Sequence, residues 1–212
     1  MRRKRHRDII HRWEGNPILD LEEFSFRCAD VWSAGAVKTG EQYVLLVTIE
    51  DLTGHTQIHV ARGDDPYHFT IEPTPLMTRA VEPPLAEYEE VGLMDPRITL
   101  LEGTYYVTYV AQGRHGFRIA LARADSDFKR IERLGFVSEP DTKGGTLFPE
   151  KINGRYARLE RPGEGGRIWI SYSDDLVYWG GAEEVLSPRG GYWDSSRVGD
   201  AVPPIKLSDG QW

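Results

Sequence analysis

The chain has 212 residues, 40% hydrophobic and 28% charged, with 22 Gly and 13 Pro, a balance that belongs to a folded chain rather than a disordered one. A formal net charge of -7 argues against a nucleic-acid partner, which would need a basic face, and favours a small neutral one. No run approaches the roughly 20 apolar residues of a membrane span, and the single cysteine, Cys28, excludes a disulfide framework or a cysteine zinc site.

The first residues, MRRKRHRDII, have the basic start of a signal peptide, but HRWEGNPILDLEE places charge and proline where an apolar segment is required. Residues 1–12 therefore read as a basic solvated tail and the chain as cytoplasmic. Beyond the tail, helical periodicity is hard to find. Short runs rich in Val, Ile, Tyr and Thr, bounded by Gly, Asp, Asn and Pro, predict strands at QYVLLVTIE, TQIHVARGD, TYYVTYVAQ, FRIALARAD, GRYARLE and RIWISYSDD. These fall into pairs, each closing on a small residue, an Asp and an aromatic. Aligned on Asp64, Asp125 and Asp174, the pairs recur after 61 and 49 residues, close to the ~40–50 residue period of propeller blades.

The expected fold is therefore all-β, a β-propeller. A β-sandwich also offers many short strands, but it does not call for a repeated strand pair. Asp64, Asp125 and Asp174 are expected to fix turns by accepting backbone N–H groups. Three repeats and a fourth that would begin near SDGQW fall short of the about four to eight blades of a closed ring. The expected unit is thus a partial propeller domain over 13–212, apparently truncated after three to four blades.

One stretch carries a choice between structure and chemistry. In VGLMDPRITLLEGTYYVTY, Asp95 precedes Pro96, and an Asp before Pro commonly opens a turn, its side chain accepting a backbone N–H. The same carboxylate at the mouth of a site would serve acid–base chemistry. An otherwise acidic chain also places Arg97, Arg114, Lys143, Lys151, Arg161 and Arg197 near its motif segments. Pairing with Glu90 or a turn carbonyl accounts for Arg97, and a salt bridge for Lys151. The six histidines show no paired metal spacing, and no Gly-rich loop precedes a helix to cradle a nucleotide.

In order and spacing, NPIL at 16–19, VWSAGAVK at 31–38, LLVTIED at 45–51, GLMDPRIT at 92–99, LFPEKINGRYARLERP at 147–162, IWISYSDDLVYWG at 168–180 and WDSSRVGDAVPPIKLSDG at 193–210 resemble glycoside hydrolase family 130. This is a family of β-mannoside phosphorylases and mannosidases on five-bladed β-propellers. The resemblance implies an inverting enzyme that transfers a β-linked mannosyl group to inorganic phosphate, yielding mannose 1-phosphate, with phosphate as co-substrate and neither cofactor nor metal. It implies Asp95 as general acid, acting through a sugar hydroxyl. Asp51, Ser33 and Asp194 fall at sugar-binding positions. Lys143 and Arg161, with Arg114, are the phosphate candidates, since an anionic nucleophile needs cations and N–H donors.

Two alternatives remain open. An inverting β-mannosidase would need a second carboxylate roughly 6.5–9.5 Å from the first to activate water, for which Glu150 is a candidate, and a non-catalytic carbohydrate-binding propeller would need neither. A homo-oligomer is compatible with all three. The chain departs from the family pattern at Met94 (Glu), Ser33 (Asn), Thr48 (Arg) and Gly144, which follows Lys143 where a Lys-Asp pair is common. The family's Tyr-His-Gly stretch, implicated in phosphate binding, would lie past Trp212.

Overall fold

The computed structural model describes residues 12–163 and 165–212, so of the expected basic tail only Arg12, which is exposed, falls within it. The architecture is that of a β-propeller, present as three successive four-stranded antiparallel blades. The first is β1 (Asp30–Thr39), β2 (Gln42–Glu50), β3 (Thr56–Gly63) and β4 (Thr70–Ile71). The second is β5 (Gly92–Leu101), β6 (Thr104–Gly113), β7 (Gly116–Ala124) and β8 (Ile131–Phe136). The third is β9 (Thr142–Leu147), β10 (Tyr156–Pro162), β11 (Ile168–Ser173) and β12 (Gly180–Leu186). A single parallel pairing, Thr56 with Gly92, joins the first two blades.

A blade lies between neighbours, so its middle strands are covered on both faces and carry continuous apolar runs instead of alternation. In β2, Val44 and Leu46 enter a core shared with Leu93, Ile98, Val107 and Tyr109 of the second blade. The residues between them, Leu45, Val47 and Ile49, pack on the other face against Ile18, Leu19, Phe24, Phe26 and Val31. Leu101, Ile119, Leu121 and Leu147 form the matching core between the second and third blades. Each such fully buried side chain contributes about 1.5–3 kcal/mol relative to exposure.

The strand pairs legible in the sequence are β2 with β3, β6 with β7 and β10 with β11, the middle of each blade. Alternation does not reveal the first strands, β1, β5 and β9, because Gly, Ser, Asp and Pro interrupt them. These three stand side by side. A Cβ on Gly35 of β1 would lie 2.7 Å from the Pro96 carbonyl of β5, so glycine is what lets the two backbones meet. Thr99 of β5 donates to the Leu147 carbonyl of β9 at 3.4 Å.

The turn aspartates differ in part from expectation. Asp125 accepts the backbone N–H groups of Lys129 and Arg130. In the other blades the turn is held one residue later, by Asp65 (from Tyr67 and His68) and Asp175 (from Val177 and Tyr178). Asp174 instead pairs with Arg155. The first Asp after the strand therefore caps the turn in the second blade, and the second Asp does so in the other two. Residues 187–212, where a fourth repeat was expected to start, contain no strand. They return to β9, where Thr146 donates its backbone N–H and hydroxyl to Asp200.

Candidate active site

Each of the blades' first strands is irregular: β9 skips Gly145 between Gly144 and Thr146, and the other two displace a non-glycine residue. β1 is irregular between Trp32 and Ala34, and β5 between Met94 and Arg97. The displaced residues, Ser33 and Asp95, have φ of 31° and 54°, a left-handed backbone that non-glycine residues adopt at a cost of about 1–3 kcal/mol and that concentrates at functional sites. Thr48, fully buried at the centre of the first blade, holds both. Its hydroxyl lies 3.1 Å from Ser33 Oγ and accepts the Asp95 N–H at 3.1 Å.

The effect is to free the Asp95 side chain. A turn-opening Asp accepts backbone N–H groups, as Asp51, Asp65, Asp125 and Asp175 do; among the described residues Asp95 accepts none. It lines a cleft of about 360 Å³ with Arg97, Lys143, Gly144, Arg161, Arg197, Gly199 and Asp200. Lys143, Arg161 and Arg197 continue into an adjoining recess of about 620 Å³ walled by Phe117, Asp141, Ser196 and the glycines of the Gly163–Arg167 hairpin loop.

The cations of this cleft are arranged against their own electrostatics. Lys143 and Arg161 are direct cross-strand partners on β9 and β10, and like charges so placed repel. Among the described residues neither they nor Arg197 is in an ion pair, whereas Arg114, Lys151, Arg155 and Arg189 all are. Burial pushes the Lys143 ammonium below the ordinary lysine range, the Asp95 carboxylate opposes that shift, and Arg161 and Arg197 add to it. Its ammonium also sits 3.5 Å from the centre of the Phe117 ring. An anion bound between these three side chains would relieve the repulsion, and Arg and Lys suit it, the first with a bidentate fork and the second as a point charge.

The structure thus brings together Asp95, Lys143 and Arg161, with Ser33 one hydroxyl away. Three expected residues lie elsewhere. Asp51 caps the β2–β3 turn through Thr53 and His55; partial burial raises its carboxyl, but the hydrogen bonds from Thr53 and His55 outweigh this and hold it below the usual range. Arg114 is held by both oxygens of Glu90 at 3.1 Å. Asp194 is buried against Arg189 at 2.8 Å. Glu150, the candidate base, pairs with Lys206.

Three cleft residues were missed as site candidates. Arg97 donates to the Pro96 carbonyl at 2.9 Å, as expected, but it also lines the cleft with a buried Nε that has no partner among the described residues. Arg197 stood only among the basic residues near motifs. Asp200 lies in the family-like segment WDSSRVGDAVPPIKLSDG, but a lone Asp in VGDAVPP resembles any turn residue and was not singled out. Among the described residues no three His, Cys, Asp or Glu side chains gather as a metal site, and no helix is long and apolar enough to cross a membrane.

Fold and cleft together define a propeller whose first strands present one uncommitted carboxylate beside a cluster of uncompensated cations. The profile of a family described as beta-1,4-mannooligosaccharide phosphorylase matches residues 1–212, and the chain belongs to that family, glycoside hydrolase family 130. It is 37% identical over 196 residues to a beta-1,2-mannobiose phosphorylase of Listeria innocua, covering 91% of this chain and 51% of that protein. It is 32% identical to a 1,2-beta-oligomannan phosphorylase of Thermoanaerobacter sp., covering 95% and 69%. The solved Listeria innocua enzyme in complex with beta-1,2-mannobiose superposes with a TM-score of 0.79 at 26% identity, over 93% of this chain and 72% of that one. The chain spans about half the length of the Listeria protein.

Proposed function

We propose that the protein is an inverting β-mannoside phosphorylase, acting first on β-1,2-linked mannosides, with its catalytic domain over residues 13–212 and a cytoplasmic location. The observation that carries this is the cleft in which Asp95, free of turn hydrogen bonds, faces Lys143, Arg161 and Arg197. The family, and the phosphorylase names of the relatives at 37% and 32% identity, support it.

In this reading the sugar lies against Asp95 and the phosphate between the three cations. Asp95 gives its proton toward the glycosidic oxygen, by way of a sugar hydroxyl as the family resemblance implies. A phosphate oxygen attacks the anomeric carbon from the opposite face. The carbon–oxygen bond to the leaving sugar breaks, and mannose 1-phosphate of inverted configuration and a free sugar result. No second carboxylate is needed, because phosphate is already a nucleophile; the cations hold it and offset its negative charge. The bulge and positive φ at Asp95 direct its side chain out of the sheet ladder, and Ser33, joined to Asp95 through the Thr48 hydroxyl, is a further candidate for contact with the sugar.

A second reading, hydrolysis by water, is favoured by one observation: Asp200 adds another carboxylate to the same lobe of the cleft. Incubation with β-1,2-mannobiose with and without phosphate separates the two. The expected result is turnover that requires phosphate and falls about 10²–10⁴-fold in Asp95→Asn, the usual contribution of a general acid. Phosphate-independent turnover would favour the hydrolase, and undiminished turnover in Asp95→Asn would remove Asp95 from the chemistry.

A further inference from the structure

Asp200 does more than line the cleft. Its Oδ2 accepts the Thr146 backbone N–H at 3.2 Å and the Thr146 hydroxyl. Its Oδ1 has no hydrogen-bond partner among the described residues, and a Cβ added to Gly144 would lie 2.2 Å from it. A side chain at position 144 would therefore have to displace the Asp200 carboxylate from the place it now holds. Gly144, at φ 85°, leaves that volume empty, and the segment following Arg197 fills it with a carboxylate.

The chemistry of the lobe gives this carboxylate a task. Arg97, Lys143, Arg161 and Arg197 are donors only, and Asp95 must hold a proton to act as an acid. A sugar bound there presents hydroxyl donors, and Asp200 is the remaining charged acceptor among the lining residues. We propose that Asp200 is a second substrate-binding carboxylate, its Oδ2 fixed by Thr146 and its Oδ1 accepting a hydroxyl of the sugar held against Asp95. This rests on the mannoside reading above. Because its charge faces the same cations as the phosphate, it strengthens sugar binding and weakens phosphate binding.

The test measures binding of β-1,2-mannobiose and of inorganic phosphate separately by calorimetry, for the unaltered protein, Asp200→Asn and Asp200→Gly. Losing a hydrogen bond to a charged acceptor should weaken mannobiose binding about 10- to 100-fold in Asp200→Gly. The effect should be smaller in Asp200→Asn, whose amide oxygen still accepts from Thr146. Phosphate binding should tighten about two- to fivefold in both, since a nearby negative charge is gone. A purely structural role would weaken both ligands and would overturn the proposal. So would unchanged mannobiose affinity in Asp200→Asn, and so would loss of turnover at unchanged affinity, which would make Asp200 a base. If the unaltered protein binds no mannoside, the mannoside reading falls and takes this one with it; if it binds and Asp200→Asn binds equally, Asp200 alone is excluded.

The shared volume has its own check, independent of any ligand. Gly144→Ala should lower the melting temperature, and adding Asp200→Gly should recover part of the loss. No recovery would show that the two positions do not compete.

Discussion

Thr48→Val tests whether the buried hydroxyl between Ser33 and Asp95 positions the carboxylate proposed as the general acid. Thr48 is 0% exposed, and its hydroxyl touches Ser33 Oγ and the Asp95 N–H, each at 3.1 Å. Valine keeps the shape and removes both bonds. The Ser33 hydroxyl can turn to another partner, but the partly buried Asp95 N–H cannot, and an unpaired donor of this kind costs about 1–3 kcal/mol. In a chain of this size each kcal/mol lowers the melting temperature by about 2–4 °C. Thr48→Ser is the control: it keeps the hydroxyl and gives up one methyl, about 1 kcal/mol. Stability alone does not distinguish the two, but activity does. With its anchor gone, Asp95 can relax from φ 54°, and misplacement of about 1 Å costs on the order of 10²-fold in rate. Thermal unfolding followed by circular dichroism, with phosphorolysis of β-1,2-mannobiose, should show Thr48→Val at least about tenfold slower than Thr48→Ser. Equal rates in the two variants would mean that the bulge holds itself and the hydroxyl is incidental.

Other outcomes follow from the same geometry. Lys143→Ala and Arg161→Ala should each raise the KM for phosphate about 10- to 100-fold, the worth of a charge-assisted hydrogen bond, with a much smaller effect on mannobiose affinity; steady-state kinetics with phosphate as the varied substrate reads this. Arg133→Ala should destabilise the protein by about 3–5 kcal/mol, because it leaves Glu89, 0% exposed and shared by Arg133, Tyr109 and the Ala80 N–H, as a buried charge without its cation; denaturant unfolding measures it. His59 is 1% exposed, bonded to the Glu72 carbonyl and stacked on Phe26, and desolvation lowers its pKa below 6.5 despite the opposing pull of Glu72. The unfolded chain therefore takes up the proton first, so His59 contributes stability that is intact above about pH 6.5 and declines as pH falls toward the lower folded value. The denaturation midpoint should drop between neutral and mildly acidic pH, and less so in His59→Asn.

How much of this was legible beforehand depended on the range of the signal. Alternating or continuous apolar runs identify strands from a few neighbouring residues, so the middle strands and their recurrence could be read directly. The β1, β5 and β9 strands could not, because their Gly, Ser and Asp residues answer to what stands beside them: Gly35 to the Pro96 carbonyl, Gly144 to the Asp200 carboxylate. Asp95, Lys143 and Arg161 were found through motif resemblance. The same resemblance also proposed Asp51, Arg114 and Asp194, which turn bonds, Glu90 and Arg189 hold elsewhere. A motif assigns a residue to a segment and does not say whether a neighbour will claim its side chain.

By itself, then, the sequence determined the β class, the blade repeat and the family, since each is a pattern carried by residues close together or by their order along the chain. Only the tertiary structure decided which charges face one another. Lys143 and Arg161 oppose each other because two strands pair in one register, and Arg197 and Asp200 reach them from a segment outside the described strands that is tied to the Gly166 carbonyl through Val198 and to β9 through Thr146. Charge meets charge through the packing of distant segments, and the strength of that meeting depends on distance and burial, neither of which is written in residue order.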